Sequence, residues 1–494
     1  MGMPRRRTAL TGLTSLAALV LSSGSAHAAP AGPRLIRDVQ AGRDTVSESA
    51  PVQADTTTEP SVAVNPANPL NVVLGYQMGR VDAGGDATNG FATTFDGGRT
   101  WTYGKVPGIT RVDGGPYDRA SDAVVAFGPH NTVYYSSLAF DDTSDQGLRS
   151  AVVNSTSHDG GRHWDAFTTV IDDLAGGLND KNWVTVDDGT GAGHHPGRVY
   201  VAWDRIDPML ASYSDDEGRT WAAPSLVYPG PSIGATPLVQ PSGDLAVVLE
   251  EDVGVVPVVH PSAHEDVQEP VTGLTRIAVA VAHGAGSVPT GAPLAFAPAV
   301  TVATYQNNPV RQQRAGTLPS ADVDPRTGRL YVTWEDARYR SDLENDVVVS
   351  SSADGIVWTT PLRVNGGIGR DEVDHWNASV AVARDGTVWV MYRQRQEAAD
   401  LADFSPYIDT FVAYSRDAGR TWTRPTRVDT TRTDVRFAAY SRGGAFLGDY
   451  NEIAVGGDYA YATYCTAFAP RPGAPAAFPP LLHHQTTWLA VLTR

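Results

Sequence analysis

From Ser61 to the C-terminus the chain is a succession of short runs in which apolar and polar residues alternate, bounded by Gly, Pro and Asp. Ser61-Val-Ala-Val64, Asn71-Val-Val-Leu74 and Thr487-Trp-Leu-Ala-Val-Leu492 are typical. A period of two places every second side chain on one face, which predicts β-strands, and no sustained helical period competes with it. The runs group in fours. First strands of successive groups begin near Ser61, Ala123, Trp183, Thr236, Ser320, Ser379 and Glu452, which counts seven units, or six if one pair is misread. The seventh has no fourth strand of its own. Arg34-Leu-Ile-Arg-Asp-Val39, near the other end of the chain, is patterned like one and is predicted to pair beside the C-terminal strand. Such pairing closes the array and removes its exposed edges.

One motif recurs between third and fourth strands. It reads Thr94-Phe-Asp96-Gly-Gly98-Arg-Thr-Trp101, and returns in full around Asp159 with Trp164, Asp216 with Trp221, and Asp417 with Trp422. A shortened copy carries Asp354 and Trp358. The aspartates recur about every sixty residues, with one double interval between Asp216 and Asp354, where the fourth unit has lost its copy. Ser/Thr and Asp side chains close a tight turn on nearby backbone, glycine supplies the left-handed conformation, and tryptophan anchors the turn. Four-stranded units repeated in this way predict an all-β β-propeller, seven blades favoured over six, with an N-terminal strand closing the ring.

The N-terminus changes the picture of location. Arg5, Arg6 and Arg7, an apolar run from Thr8 to about Leu21, and Ala26-His27-Ala28 have the layout of a secretory signal peptide over 1–28, leaving 29–494 as a single secreted domain. No later run is long enough to span a membrane. The formal charge is −17 at pH 7 and becomes more negative once the leader arginines leave. With no basic tract, nucleic acid and anionic membranes are not expected partners. Cys465 is the sole cysteine, so no internal disulfide forms. Lysine occurs only at Lys105 and Lys181.

Topology sorts the loops. The repeated turns all fall on one face and are structural. Loops from second to third strands, and from one unit to the next, share the other face, where a funnel would bind ligands. That face collects Trp203-Asp204-Arg205, Glu250-Glu251-Asp252, Trp334-Glu335-Asp336-Ala-Arg338 and Tyr392-Arg393-Gln-Arg395 at the ends of second strands. Between units lie Tyr117-Asp118-Arg119, Asp180-Lys181, Arg311 with Arg314, Asp374-His375-Trp376 and Leu447-Gly-Asp449-Tyr450.

The repeated turn is the Asp-box (BNR repeat), and through it the mature chain resembles the sialidase (neuraminidase) superfamily. The resemblance implies a tyrosine nucleophile paired with a glutamate, an acid/base aspartate, and three arginines gripping a sugar carboxylate. Tyr450-Asn-Glu-Ile453 is similar to the nucleophile segment, so Tyr450 is the nucleophile candidate, and Asp86 resembles the acid/base. Met78-Gly-Arg80 and the strand ending at Arg393 are similar to arginine-bearing segments, and Arg338 completes the substrate-binding candidates with Asp204, Arg205, Glu335 and Asp336. Two positions depart from the pattern: Thr58-Glu59-Pro60 keeps the family's proline without its arginine, and Ala378 stands where the tyrosine's glutamate should be. Glu372, Asp374 or His375 are its conceivable replacements.

The leading expectation is therefore an exo-sialidase-type glycosidase acting on terminal acidic sugars. A polysaccharide lyase using Tyr450 and His375, and a non-catalytic propeller binding glycan or protein, are the alternatives. No cofactor is implied. His194-His195 and His483-His484 lack a third ligand at metal spacing. Asp141-Asp142 and an acidic loop at Glu250-Glu251-Asp252 offer carboxylates to calcium without the order of a calcium loop. A long insert, Val253 to Gly273, is expected to lie over the mouth. Oligomeric state is left open.

Overall fold

The computed structural model describes residues 31–46, 52–141, 149–173, 177–205, 207–256, 272–306, 308–310, 313–315, 318–340, 344–366, 373–396 and 405–494. The leader, Asp142, Arg311, Glu372 and 257–271 of the long insert lie outside them.

The alternating runs become antiparallel strands, and the strands pair in fours. Sheet I contains Val52–Val64, Val72–Val81, Asp86–Thr94 and Thr102–Lys105. Sheet II contains Arg119–Phe127, Val133–Phe140, Ser150–Ser157 and Thr168–Asp173, and sheet III Asp180–Val186, Val199–Asp204, Met209–Ser214 and Ser225–Tyr228. Sheet IV contains Ile233–Val239, Leu245–Val256, Thr272–Ala282 and Val300–Gln306. Sheet V contains Ser320–Val323, Leu330–Asp336, Asp346–Ser352 and Leu362–Arg363, and sheet VI Val373–Val382, Val388–Gln396, Tyr407–Ser415 and Thr426–Arg427. Sheet VII takes Glu452–Gly456, Tyr459–Ala467 and Gln485–Thr493 from the C-terminus. Its fourth strand is Arg34–Gln40, antiparallel to the last, with Arg34 opposite Thr493 and Gln40 opposite Trp488. Among the described residues helix is confined to short 3-10 turns. The fold is all-β and propeller-like.

First strands of successive sheets lie against one another from I to VII, and that of VII lies against that of I. Side chains stitch them together. Ser61 Oγ accepts the Val125 amide at 3.1 Å, Ser320 Oγ the Val380 amide at 3.1 Å and Ser379 Oγ the Ile453 amide at 3.2 Å. Glu452 Oε2 then takes the Val62 amide at 2.8 Å and the Ser61 hydroxyl at 2.7 Å. Apolar side chains fill the space between neighbouring sheets rather than one common centre: Trp334 with Val248 and Ile277 between IV and V, Tyr461 and Leu489 with Val72 and Leu74 between VII and I.

Four of the five repeated turns share one bond pattern. At the first, Thr94 Oγ1 donates to Asp96 Oδ1 at 2.8 Å and accepts the Gly98 amide at 3.0 Å, while Asp96 Oδ1 takes the Thr100 amide at 2.9 Å. Asp159, Asp216 and Asp417 repeat it, whereas the shortened turn at Asp354 keeps the hydroxyl and amide bonds to the carboxylate without a glycine amide on the Ser352 hydroxyl. Gly98, Gly161, Gly218, Gly355 and Gly419 all sit at positive φ, the conformation that side-chain-bearing residues resist. Trp101, Trp164, Trp221, Trp358 and Trp422 pack as partly buried anchors against the neighbouring sheet.

Two expectations are corrected here. Glu250-Glu251-Asp252 is not a loop: the strand runs on to Val256, with Glu251 opposite Arg276. Its charge is absorbed within the sheet, because Glu251 Oε1 meets Arg276 Nε at 2.9 Å and Glu250 accepts the Tyr305 hydroxyl at 2.9 Å. Ser320 and Glu452 do begin their strands, but the other five residues marked as strand starts lie at or next to the point where regular pairing resumes after a bulge. These bulges open between Thr58 and Ser61, Ser121 and Val124, Asp180 and Trp183, Ile233 and Thr236, and Trp376 and Ser379. Each extra residue kinks its strand and re-aims a side chain.

Candidate functional site

The bulges build the site. Glu59, Asp122, Lys181 and Asn377 occupy the same position in four different first strands, and all are left-handed, with φ of 48°, 46°, 44° and 54°. Gly234 holds that position in sheet IV at φ 76°. Non-glycine residues in this region are strained and persist only where the surroundings hold them. Here the bulge turns the side chains of Glu59, Asp122 and Lys181 into one buried cluster. Lys181 Nζ lies 3.3 Å from Glu59 Oε1, 3.5 Å from Asp122 Oδ1 and 3.0 Å from Asp449 Oδ2. The loop before sheet VII delivers Asp449, whose amide also donates to Glu59 Oε1 at 3.0 Å. Arg314 NH2 reaches Asp449 Oδ2 at 3.1 Å.

A second pair joins this hub. Arg80 NH1 is 2.9 Å from Asp86 Oδ2, both side chains fully buried. Thr58 Oγ1 donates to Asp86 Oδ1 at 3.3 Å. The Gln77 amide bridges the two clusters, accepting from Arg80 at 3.4 Å and donating to Glu59. A short hairpin, Ala439–Ser441 with Gly444–Phe446, lies across this group. It supplies Ser441 Oγ to Arg80 NH2 at 2.9 Å and sets the Phe446 ring 4.1 Å from the Arg80 guanidinium and 4.3 Å from that of Arg314.

Burial and charge pull these groups apart in acidity. Desolvation raises Asp122 to about 6 against the pull of Lys181, and raises Asp86 to about 6 against the pull of Arg80. Desolvation also raises Glu59, although Lys181 draws it back. Asp449 goes the other way: burial opposes its charge, but Lys181 and Arg314 outweigh burial and hold it ionised. Lys181 is held protonated, since its carboxylates overcome the cost of burying it.

Tyr450 follows Asp449 directly. Its ring meets Trp183 edge-on at 5.4 Å and stands 5.3 Å from Lys181 Nζ. Its hydroxyl is buried with no hydrogen-bond partner among the described residues. Burial, then the nearby Glu59 and Asp122, push the phenol well above its usual range. Lys181, Trp183, Asp449 and Tyr450 line a cavity of about 320 Å³, bounded by first strands of sheets I to VII. Deeper in its wall stand Glu452, raised to about 7 by desolvation, and Asp322, raised to about 6 by desolvation.

Arg80 and Asp86 are thus linked through Gln77 and Glu59 to the Lys181 cluster beside Tyr450, although only Tyr450 of the three lines the cavity. The remaining sequence-derived candidates do not join them. Arg338 folds back on Asp336 at 2.6 Å, and Asp336 also accepts the Arg338 amide at 3.1 Å. Arg393 is fully buried, donating to the Cys465 carbonyl at 2.8 Å and to Asn451 Oδ1 at 3.1 Å. Arg205 pairs with Asp173 at 2.9 Å. Asp204 and Glu335 are buried acids pushed well up by desolvation, Asp204 further by Asp180 and Asp122, and Glu335 by Glu250. Ala378 lines the cavity wall. His375 Nδ1 donates to the Asn345 carbonyl oxygen at 3.2 Å, and its ring meets that of Tyr392 edge-on at 5.6 Å. Sequence placed Asp180-Lys181 on the funnel face without giving Lys181 a role, and did not mark Glu59 or Asp122 as site residues. The signal available was Lys181 itself, one of two lysines in the chain.

Among the described residues no group of three or more His, Cys, Asp or Glu is placed to hold a metal ion. His194 is bonded to Asp187 at 2.7 Å, and His483 to the Ala438 carbonyl at 2.7 Å. No described helix is long and apolar enough to cross a membrane.

No family model matches the chain, and no curated protein matches it in sequence. Among solved structures it is similar to a protein of unknown function from Dyadobacter fermentans, at 12% identity over 94% of this chain and 99% of that one, with a TM-score of 0.47. It is also similar to a sialidase from Streptococcus pneumoniae, at 12% identity over 71% of this chain and 67% of that one, TM-score 0.43. An α-L-arabinofuranosidase from Fusarium graminearum is similar at 12% identity over 93% and 98%, TM-score 0.42. Likeness at this level carries no argument about activity or substrate, which rest on the site.

Proposed function

We propose that the chain is an exported, closed seven-bladed Asp-box propeller that hydrolyses terminal glycosidic bonds at the mouth of its central channel. Seven groups of strands, the Arg34–Gln40 pairing and the Glu452 bond to sheet I support the closed ring. The observation that carries the functional reading is the divergence of acidities among the carboxyls of one buried, hydrogen-bonded network that reaches the cavity at Asp449 and Lys181. Asp449 is held ionised while Asp86, Asp122 and Glu59 are held toward their protonated forms. Such divergence supplies an acid and a base at one pH.

In this reading Tyr450 Oη attacks the anomeric carbon, and its proton passes to Glu59 or Asp122 in its ionised form, the raised acidity making either a ready proton acceptor near neutral pH. That shift fills the role left open by Ala378. Asp86 exchanges its bond to Arg80 for one to the departing oxygen and protonates it. Water then cleaves the tyrosyl–sugar bond, with Asp86 taking the water's proton and the carboxyl that accepted the first proton returning it to the departing Tyr450 oxygen. The ammonium of Lys181 stabilises the phenolate as it forms.

A sialidase in the narrow sense needs three converging arginines. The separate engagements of Arg80, Arg338 and Arg393 do not favour it. A second reading, a non-catalytic glycan-binding propeller, is favoured by one observation: Asp86 is completely buried and doubly bonded at rest. A panel of 4-methylumbelliferyl glycosides, neutral and acidic, tests both. Release by the parent chain that is lost in Tyr450→Phe and Asp86→Asn supports hydrolysis, whereas no release from any glycoside, with glycan binding retained, selects the second reading.

A further inference from the structure

We propose that this mouth selects an uncharged terminal sugar and rejects an anionic one, an inference that rests on the glycan-acting reading above. The cations of the cluster are already engaged. Lys181 serves Glu59, Asp122 and Asp449, Arg80 serves Asp86, and Arg314 serves Asp449. Once Asp86, Asp122 and Glu59 have ionised, three cations face four carboxylates, so the cluster then carries excess negative charge before any ligand arrives. A sugar carboxylate would have to displace a resident one, or sit beside it unpaired in a site shielded from water.

The groups left for a ligand are neutral. Two cavity-wall residues hold buried polar atoms that lack a hydrogen-bond partner among the described residues: the Tyr450 hydroxyl and Asn182 Oδ1. Asn182 is fixed by its other end, its amide nitrogen donating to Ser136 Oγ at 2.8 Å and to the Asp122 carbonyl at 3.1 Å. A buried polar atom without a partner costs stability, so two of them on residues of one cavity wall point to a partner from outside. A phenol that donates and an amide oxygen that accepts match sugar hydroxyls, which do both. Trp183, half-buried in the same wall and edge-on to Tyr450, offers an apolar face for the ring. A cavity of about 320 Å³ suits a single residue of a glycan.

The test is isothermal titration of the mature chain with sugar pairs that differ only in the C6 carboxylate: glucose with glucuronic acid, and galactose with galacturonic acid. At least one neutral member is expected to bind about tenfold or more tightly than its acidic partner at low salt, with the gap narrowing as salt rises. Asn182→Ala should weaken the neutral sugar about fivefold while keeping the preference. Asp122→Asn should shrink the preference itself. Equal or tighter binding of the acidic members overturns the proposal, and so does absence of binding by every neutral sugar. Neutral preference without turnover of any glycoside would sink the hydrolase reading and leave this one standing.

Discussion

Replacing Lys181 by methionine would keep most of the side-chain volume and remove the ammonium that holds Glu59, Asp122 and Asp449 together. All four side chains are at least nine-tenths buried. Removing one member of such a group leaves the others as uncompensated buried charge, which costs about 3–5 kcal/mol. Entropy of unfolding scales with chain length, so in a chain of this size each kcal/mol moves the melting midpoint by about 1 °C. A fall of about 3–5 °C at pH 8 follows. The loss should shrink at pH 5, because Asp122 and Glu59 already favour protonation and a neutral carboxyl has no need of the ammonium. Differential scanning fluorimetry of parent and variant across pH 5–8 reads both effects. A midpoint within about 1 °C of the parent at pH 8, or a loss that grows toward pH 5, would refute the account of Lys181 as the electrostatic centre.

Other consequences follow from the same geometry. Glu452, Asp86, Asp122 and Asp322 all have folded-state acidities raised to about 6–7, so the folded chain holds protons that the unfolded chain releases. Stability should be greatest below about pH 4–5 for these groups and decline as pH rises through 6–7, visible as a falling unfolding midpoint. Tyr450→Phe removes a hydroxyl with no partner, so it should leave the melting midpoint within about 1 °C while abolishing turnover. Gly161→Ala puts a Cβ 2.6 Å from Val73 Cγ2 at a residue with φ 89°, and should cost about 2–4 kcal/mol by denaturant titration. Deleting residues through Gln40 strips the last strand of its partner and exposes an edge, so concentration-dependent association by light scattering is expected.

The repeat was readable because its chemistry is local. Ser or Thr, Asp and Gly close each turn within five residues, and a period of two marks the strands around it. The Arg34–Val39 pattern reads as a strand for the same reason, and the structure pairs it with the C-terminal strand as expected. The hub was not readable in that way. Glu59, Asp122, Lys181 and Asp449 come from four separate units, and three of them face one another only because each first strand bulges into a left-handed residue. Nothing beside Glu59 in sequence announces a bulge, although aligning the units on Ser61, Val124, Trp183 and Ser379 would have put Glu59, Asp122, Lys181 and Asn377 in one column. Glu250-Glu251-Asp252 misled in the opposite direction. Three adjacent acids suggest a loop, but cross-strand Arg276 and the Tyr305 hydroxyl let the strand carry them. The arginines misled through composition. In a chain with almost no lysine, arginine at a strand end is ordinary, and Arg338 and Arg393 have structural partners.

The most direct test of the central claim is a crystal structure of Tyr450→Phe soaked with the neutral glycoside that the parent chain turns over fastest. The account predicts the terminal sugar in the cavity against Trp183, within hydrogen-bonding reach of Asn182 and beside position 450. A sugar seated instead on the face of the repeated turns, or between outer strands, would contradict it.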